Sequence, residues 1–203
     1  MAVKIVRGRA SNAADPQQLT MLAAPDATAA APGVKRCVTL TQPWAGLVAA
    51  GIKLIENRDK PIIAPERFGE TFGIHASREI ESPVYARIQQ IAPELFDGWN
   101  IDDVAAWPLW YRLSRITSAV LAVATVYAGI CIQPRRPVAA GKVLGPNDLP
   151  PDQRRWYFGP LGYALRDVRA LVRPIAPVSG GLSNWEMPVD IAARVNAQIA
   201  RAA

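Results

Sequence analysis

Between Gly51 and Arg58 the chain reads GIKLIENR, which places a lysine, a carboxylate and a guanidinium within six residues. Lys53 offers a compact cation for a phosphate or a developing oxyanion. Desolvated, the same amine loses its proton more readily and becomes a base. Glu56 can orient Lys53, accept a proton, or accept a hydrogen bond from an exocyclic amine. Arg58 suits an anion contact or an ion pair. In a flat strand Lys53 and Glu56 point to opposite faces, so they share a cleft only if the segment is twisted, bulged or turn-like. The competing reading is a solvated charge cluster on a short strand. No Ser or Thr lies between Gly51 and Ala64, so this stretch has no hydroxyl nucleophile.

Other side chains could complete such a site. His75, the sole histidine, can move a proton or contact a base, or it can brace the end of a strand. Ser77 is a ligand contact or a strand cap. Trp44 can stack on a base, worth ~1–3 kcal/mol, or pack in the core. Gln42 can read a base edge with its amide. Trp156, Tyr157 and Trp185 carry the same ambiguity as Trp44. Arg135 with Arg136, and Arg154 with Arg155, form two basic pairs flanking a Pro-rich loop, either a phosphate contact or a solvated surface. The Trp-rich segment Trp99 to Tyr111 offers a docking surface for a protein partner.

The elements around these residues follow from periodicity. Residues 1–33, which include the stretch AAPDATAAAPG, read as an Ala/Pro-rich disordered tail. Val34 to Leu40 alternates as a strand. Thr41 caps a helix over Pro43 to Ala50, stopped by Gly51. Lys53 to Arg58 is a short strand or turn, and Glu70 to Ser77 is a strand. Ser82 and Pro83 open a second helix. Ile116 to Ile132, uncharged and β-branched, is a central strand. Strands follow at Trp156 to Leu165 and Val168 to Pro174, then a tight loop at Gly180 and Gly181. Ile191, Val195 and Ile199 stripe a closing amphipathic helix. The helices are too few for a doubly wound sheet. The expected class is α+β, a small mostly antiparallel β-barrel with flanking helices. The folded domain should span 34–188, with the helix of 189–203 packed on it.

Composition narrows the function classes. The 203 residues are 50% hydrophobic, enough for a core, and carry a net charge of +6. Arg supplies 18 of the 23 cations. Its planar fork of donors suits phosphate and base edges, so the balance leans toward a polyanion. Two distant cysteines, Cys37 and Cys131, and one His provide no metal-ligand spacing. Neither a metal nor a cofactor is expected, and the cysteines read as reduced core thiols of a cytoplasmic protein. The basic N-terminus has no apolar run behind it, so no secretory signal is expected. The longest apolar stretch falls short of the ~20 residues of a membrane span.

The succession QPWA (42–45), GxKxxExR (51–58), GIHAS (73–77), WYFGPLGYAL (156–165) and PIAPVSG (174–180), with Trp185 after it, resembles the ASCH domain family of the PUA-like superfamily. The resemblance covers about Val34 to Pro188. It implies a PUA-like barrel with a cleft beside the first helix and a ligand class of RNA or modified nucleosides. Some relatives are hydrolases of N4-acetylcytidine; others are described as ribonucleases or coactivator modules. The reading is thus of a protein that binds RNA or a modified nucleoside in a basic cleft. Lys53 and Glu56 are its catalytic candidates, and Gln42, Trp44, Arg58, His75 and Ser77 its ligand contacts. The alternative is a metal-independent hydrolase of the same ligand class. In the amidohydrolase relatives a Thr nucleophile stands three residues after the Lys. Here that position is Glu56, which argues against a covalent acyl intermediate and leaves attack by water with Glu56 as base.

Overall fold

The computed structural model describes residues 33–131 and 141–201. The 1–33 tail up to Pro32, and Arg135 and Arg136 of the first basic pair, lie outside the described residues. The strands are β1 (Arg36–Gln42), β2 (Ile55–Arg58), β3 (Thr71–Ile80), β4 (Ala119–Ile130), β5 (Val143–Leu144), β6 (Leu161–Ile175) and β7 (Asn184–Glu186). The α-helices are α1 (Trp44–Ala49), α2 (Ser82–Ile91), α3 (Leu109–Ser114), α4 (Pro151–Arg154) and α5 (Val189–Arg201).

All seven strands join one mixed sheet in the order β2-β6-β4-β3-β1-β7, with β5 beside β4. The β1/β3 and β4/β5 pairs are parallel and the others antiparallel. The architecture is therefore α+β and mostly antiparallel, but the strands do not close into the expected barrel. The outer strands β2 and β7 are four and three residues long. Side chains at the start of β7 reach the loop after β2: Ser183 Oγ donates to Ile62 O at 3.2 Å, and Asn184 Nδ2 donates to the same carbonyl.

Strand β4 runs through the middle and is buried along nearly its whole length, as its uncharged sequence requires. Leu121, Ala124 and Val126 pack with Ala45 and Val48 of α1. Val120 and Val123 join Cys37, Leu171 and Ile175 in a cluster closed by Ile191 and Val195 of α5. The stripe read for the last helix is the one that packs. The two strands expected at 156–165 and 168–174 are one 15-residue strand, β6. Asp167 breaks its periodicity with φ +51°, and its pairing to β4 shifts register nearby, which makes one strand read as two.

The aromatic segment folds onto itself. Trp110 and Tyr111 are buried, and Trp99 and Trp107 lie 4.8 and 4.9 Å from the Tyr111 ring. Its rings build a core around Ile88 and Trp156, while Ile101, Val104 and Leu109 of the same segment stay exposed. Cys37 is buried and its thiol is pushed up to about 12 by desolvation, whereas Cys131 is exposed and departs from the expected core thiol. Among the described residues no helix is long and apolar enough to cross a membrane.

Candidate functional site

Lys53 is placed by its backbone. Gly51, at φ +74°, turns the chain out of α1 in a conformation that a Cβ disfavours. The N–H groups of Ile52 and Lys53 both donate to Leu47 O, at 3.0 and 3.3 Å. The buried amide of Gln153, on α4, then grips both neighbours of Lys53: its Oε1 accepts from Leu54 N at 2.8 Å and its Nε2 donates to Ile52 O at 3.2 Å. Lys53 thus precedes β2 and escapes strand alternation. This resolves the face problem posed by its spacing from Glu56.

The three charged side chains converge. Lys53 is 1% exposed, and its Nζ donates to Ile55 O and lies 3.4 Å from Glu56 Oε2. Glu56 Oε1 lies 3.0 Å from Arg58 Nε, although that N–H is not aligned for a hydrogen bond. Arg58 Nη2 donates to Thr39 O at 2.6 Å. Burial holds the Lys53 ammonium below the usual lysine range; Glu56 opposes this and Arg58 adds to it slightly. The cluster is therefore desolvated at its Lys53 end, not a solvated patch.

These residues form the floor of a cleft of about 720 Å³. One wall is aromatic: the Trp44 and Phe158 rings lie 5.4 Å apart, the Arg87 guanidinium sits 4.0 Å over Phe158, and Lys53 Nζ is 5.5 Å from the Trp44 ring centre. Lys60, Arg87, Asp59 and Glu81 add charges to the lining. With Lys53, Glu56 and Arg58, that makes four cations against three carboxylates. The charge is nearly balanced, so a ligand is sorted by where the charges stand more than by net attraction.

Asn57 ties the Phe158 loop to β2. Its Oδ1 accepts from Phe158 N at 3.0 Å and Gly159 N at 3.2 Å, and its Nδ2 donates to Trp156 O at 2.8 Å. Asn57, Arg87, Gln153 and Phe158 are the residues that sequence reasoning missed. Phe158 and Gly159 lay inside the WYFGPLG stretch, but nothing in their spacing shows which loop they meet 100 residues away.

The remaining expected contacts lie elsewhere. Gln42 is fully buried outside the cleft and its amide is occupied: Nε2 donates to Leu113 O (2.9 Å) and Ile116 O (2.5 Å), and Oε1 accepts from Gly46 N (3.0 Å). It, not Thr41, serves the start of α1. His75 and Ser77 line a second groove, of about 560 Å³, between β3 and the loop of residues 176–183. His75 Nε2 is 3.0 Å from Val178 O, a pure acceptor, so that nitrogen is assigned the proton. His75 Nδ1 lies 3.2 Å from Thr39 Oγ1, which also accepts from Trp185 Nε1 at 2.9 Å and can donate to Gly181 O at 3.1 Å. Burial pulls the imidazole below 6.5 against the Val178 hydrogen bond. Of the second basic pair, Arg154 caps Leu149 O and Asn147 O, and Arg155 pairs with Glu94 at 2.6 Å. Among the described residues no cluster of His, Cys, Asp and Glu could hold a metal ion.

No family model matches the chain, and no curated protein does. Solved structures of an ASCH protein from Zymomonas mobilis are similar to it. The parent protein is 17% identical, with 78% of this chain and 91% of that one covered and a TM-score of 0.38. One single-residue variant of it is 16% identical, with 78% and 92% covered and a TM-score of 0.38. A second is 17% identical, with 78% and 94% covered and a TM-score of 0.36.

Proposed function

We propose that the protein is a cytoplasmic, PUA-like ASCH protein that binds RNA or a modified nucleoside, with the reacting or recognised base in the Lys53 cleft. The observation that carries this reading is the fully buried Lys53 ammonium 3.4 Å from Glu56, on the floor of a cleft walled by Trp44 and Phe158. A planar, polar heterocycle fits such a site: its faces pack on the rings and its edge meets a donor and an acceptor. Arg58 and Lys60, which also line the cleft, suit the attached phosphate or ribose.

A hydrolytic reading of the same cleft is favoured by the pairing of a carboxylate, Glu56, with the Lys53 amine 3.4 Å away. Glu56 would take a proton from water as its oxygen attacks an amide carbonyl. Lys53 would stabilise the oxyanion, and the proton would pass to the departing amine as the C–N bond breaks. Salt-dependent binding of single-stranded RNA and of nucleosides tests the first reading: no binding at low salt, or affinity unchanged in Lys53→Ala, overturns it. Turnover of N4-acetylcytidine that disappears in Glu56→Gln would establish the second, and intact substrate after long incubation would refute it.

A further inference from the structure

The second groove has features that the His75 network does not require. Its ionisable lining residues among the described ones are His75 and Arg78, with no carboxylate. Arg78 is exposed and makes no ion pair among the described residues. The hydroxyl residues Ser77, Ser118 and Ser179 line the same space. In the same loop as Ser179, the N–H groups of Ser179, Gly180, Gly181 and Leu182 donate to no atom among the described residues. The loop is nonetheless held in place. Val178 N donates to Ser118 O at 2.7 Å, and a Cβ on Gly180 or Gly181 would lie 2.5 Å from the His75 ring or 2.6 Å from the Trp185 ring. A groove that holds a guanidinium and no carboxylate, lined by a loop whose amides have no partner among the described residues, is suited to a small anion.

The groove also adjoins the first cleft. Thr39 lines both, with its carbonyl bound to Arg58 and its hydroxyl in the His75 network. We infer that the groove between β3 and the 176–183 loop is a phosphate subsite. We further infer that its phosphate belongs to an RNA strand whose neighbouring base enters the Lys53 cleft. The first half stands on the groove itself; the second rests on the function proposed above. The preferred ligand is then a strand spanning two sites, not a single nucleoside, and Arg78 is a phosphate contact remote from the base.

His75 is the only histidine, so its ring protons report on this groove without overlap. Inorganic phosphate titrated into the full chain at fixed ionic strength should shift the His75 imidazole signals saturably, and Arg78→Ala should remove the response. A flat titration, or an equal one in the variant, overturns the subsite. Labelled single-stranded RNA, measured over a salt series, decides the source. Arg78→Ala should weaken RNA binding about tenfold and reduce the salt slope by about 0.7, with nucleoside affinity unchanged. Unaltered RNA affinity beside a positive phosphate titration assigns the groove to a small phosphate and overturns the continuous strand. RNA that fails to bind the wild-type chain overturns both the continuous strand and the proposed function, while the phosphate titration still decides the groove.

Discussion

The side-chain amide of Gln153 holds the backbone on both sides of Lys53, bonding Leu54 N at 2.8 Å and Ile52 O at 3.2 Å. A buried ammonium needs a fixed direction, and here a residue 100 positions away supplies it. Gln153→Leu would leave a part-buried N–H and C=O unpaired, a cost of about 2 kcal/mol. Thermal unfolding should show a drop of about 4–8 °C for a chain of this size, together with weaker ligand binding. An unchanged transition would show that the clamp does not act.

Lys53 is the opposite case: on the proposed function, its burial serves the site at the expense of the fold. Removing a desolvated cation while Glu56 keeps Arg58 at 3.0 Å should not harm stability. Lys53→Met is expected to melt at or above the wild-type temperature while losing ligand binding. A fall of more than about 4 °C, or about 1 kcal/mol, would refute this assignment.

The buried imidazole of His75 gives a pH dependence with a definite sign. Its folded pKa lies below the unfolded 6.5, so between these values the unfolded chain holds more protons. Stability therefore rises with pH through that window and is lost as pH falls below 6.5. Urea midpoints measured from pH 7.5 down to pH 5 should decline, and His75→Gln should flatten the decline. An identical slope in the variant would assign the effect to other groups.

Phe158 presents a half-open ring beside Trp44 and under Arg87. Phe158→Ala should weaken binding of a base-containing ligand by ~1–3 kcal/mol, with a thermal midpoint close to wild type. Calorimetric titration of the two proteins would measure it, and equal affinities would remove Phe158 from the binding wall.

The two thiols should differ sharply in reactivity. Cys37 is buried with its pKa pushed up to about 12, and Cys131 is exposed. Iodoacetamide at pH 8 should add one label to the native chain and none to Cys131→Ser, as read by mass spectrometry. A second label on the folded protein would contradict the burial of Cys37.

Local chemistry in the sequence determined a good deal. The uncharged run after Ile116 had to be a buried strand, Gly51 had to end α1, and Ile191 and Val195 had to face the core, because alternation, helix stops and amphipathic stripes are written in neighbouring residues. The grouping of Lys53, Glu56 and Arg58 was legible for the same reason: three charges within six residues cannot lie far apart. Their common direction was not legible. It depends on Gln153 and Leu47 fixing the backbone before β2, contacts that no periodicity records. Gln42, His75 and Ser77 carried the right chemistry in sequence, yet long-range contacts spent the Gln42 amide on Leu113 and Ile116 and placed the other two in a different groove. Tertiary structure likewise decided that the sheet stays open. Whether β2 and β7 pair depends on the geometry of two edges more than 120 residues apart, and there side chains at the start of β7 reach the loop after β2.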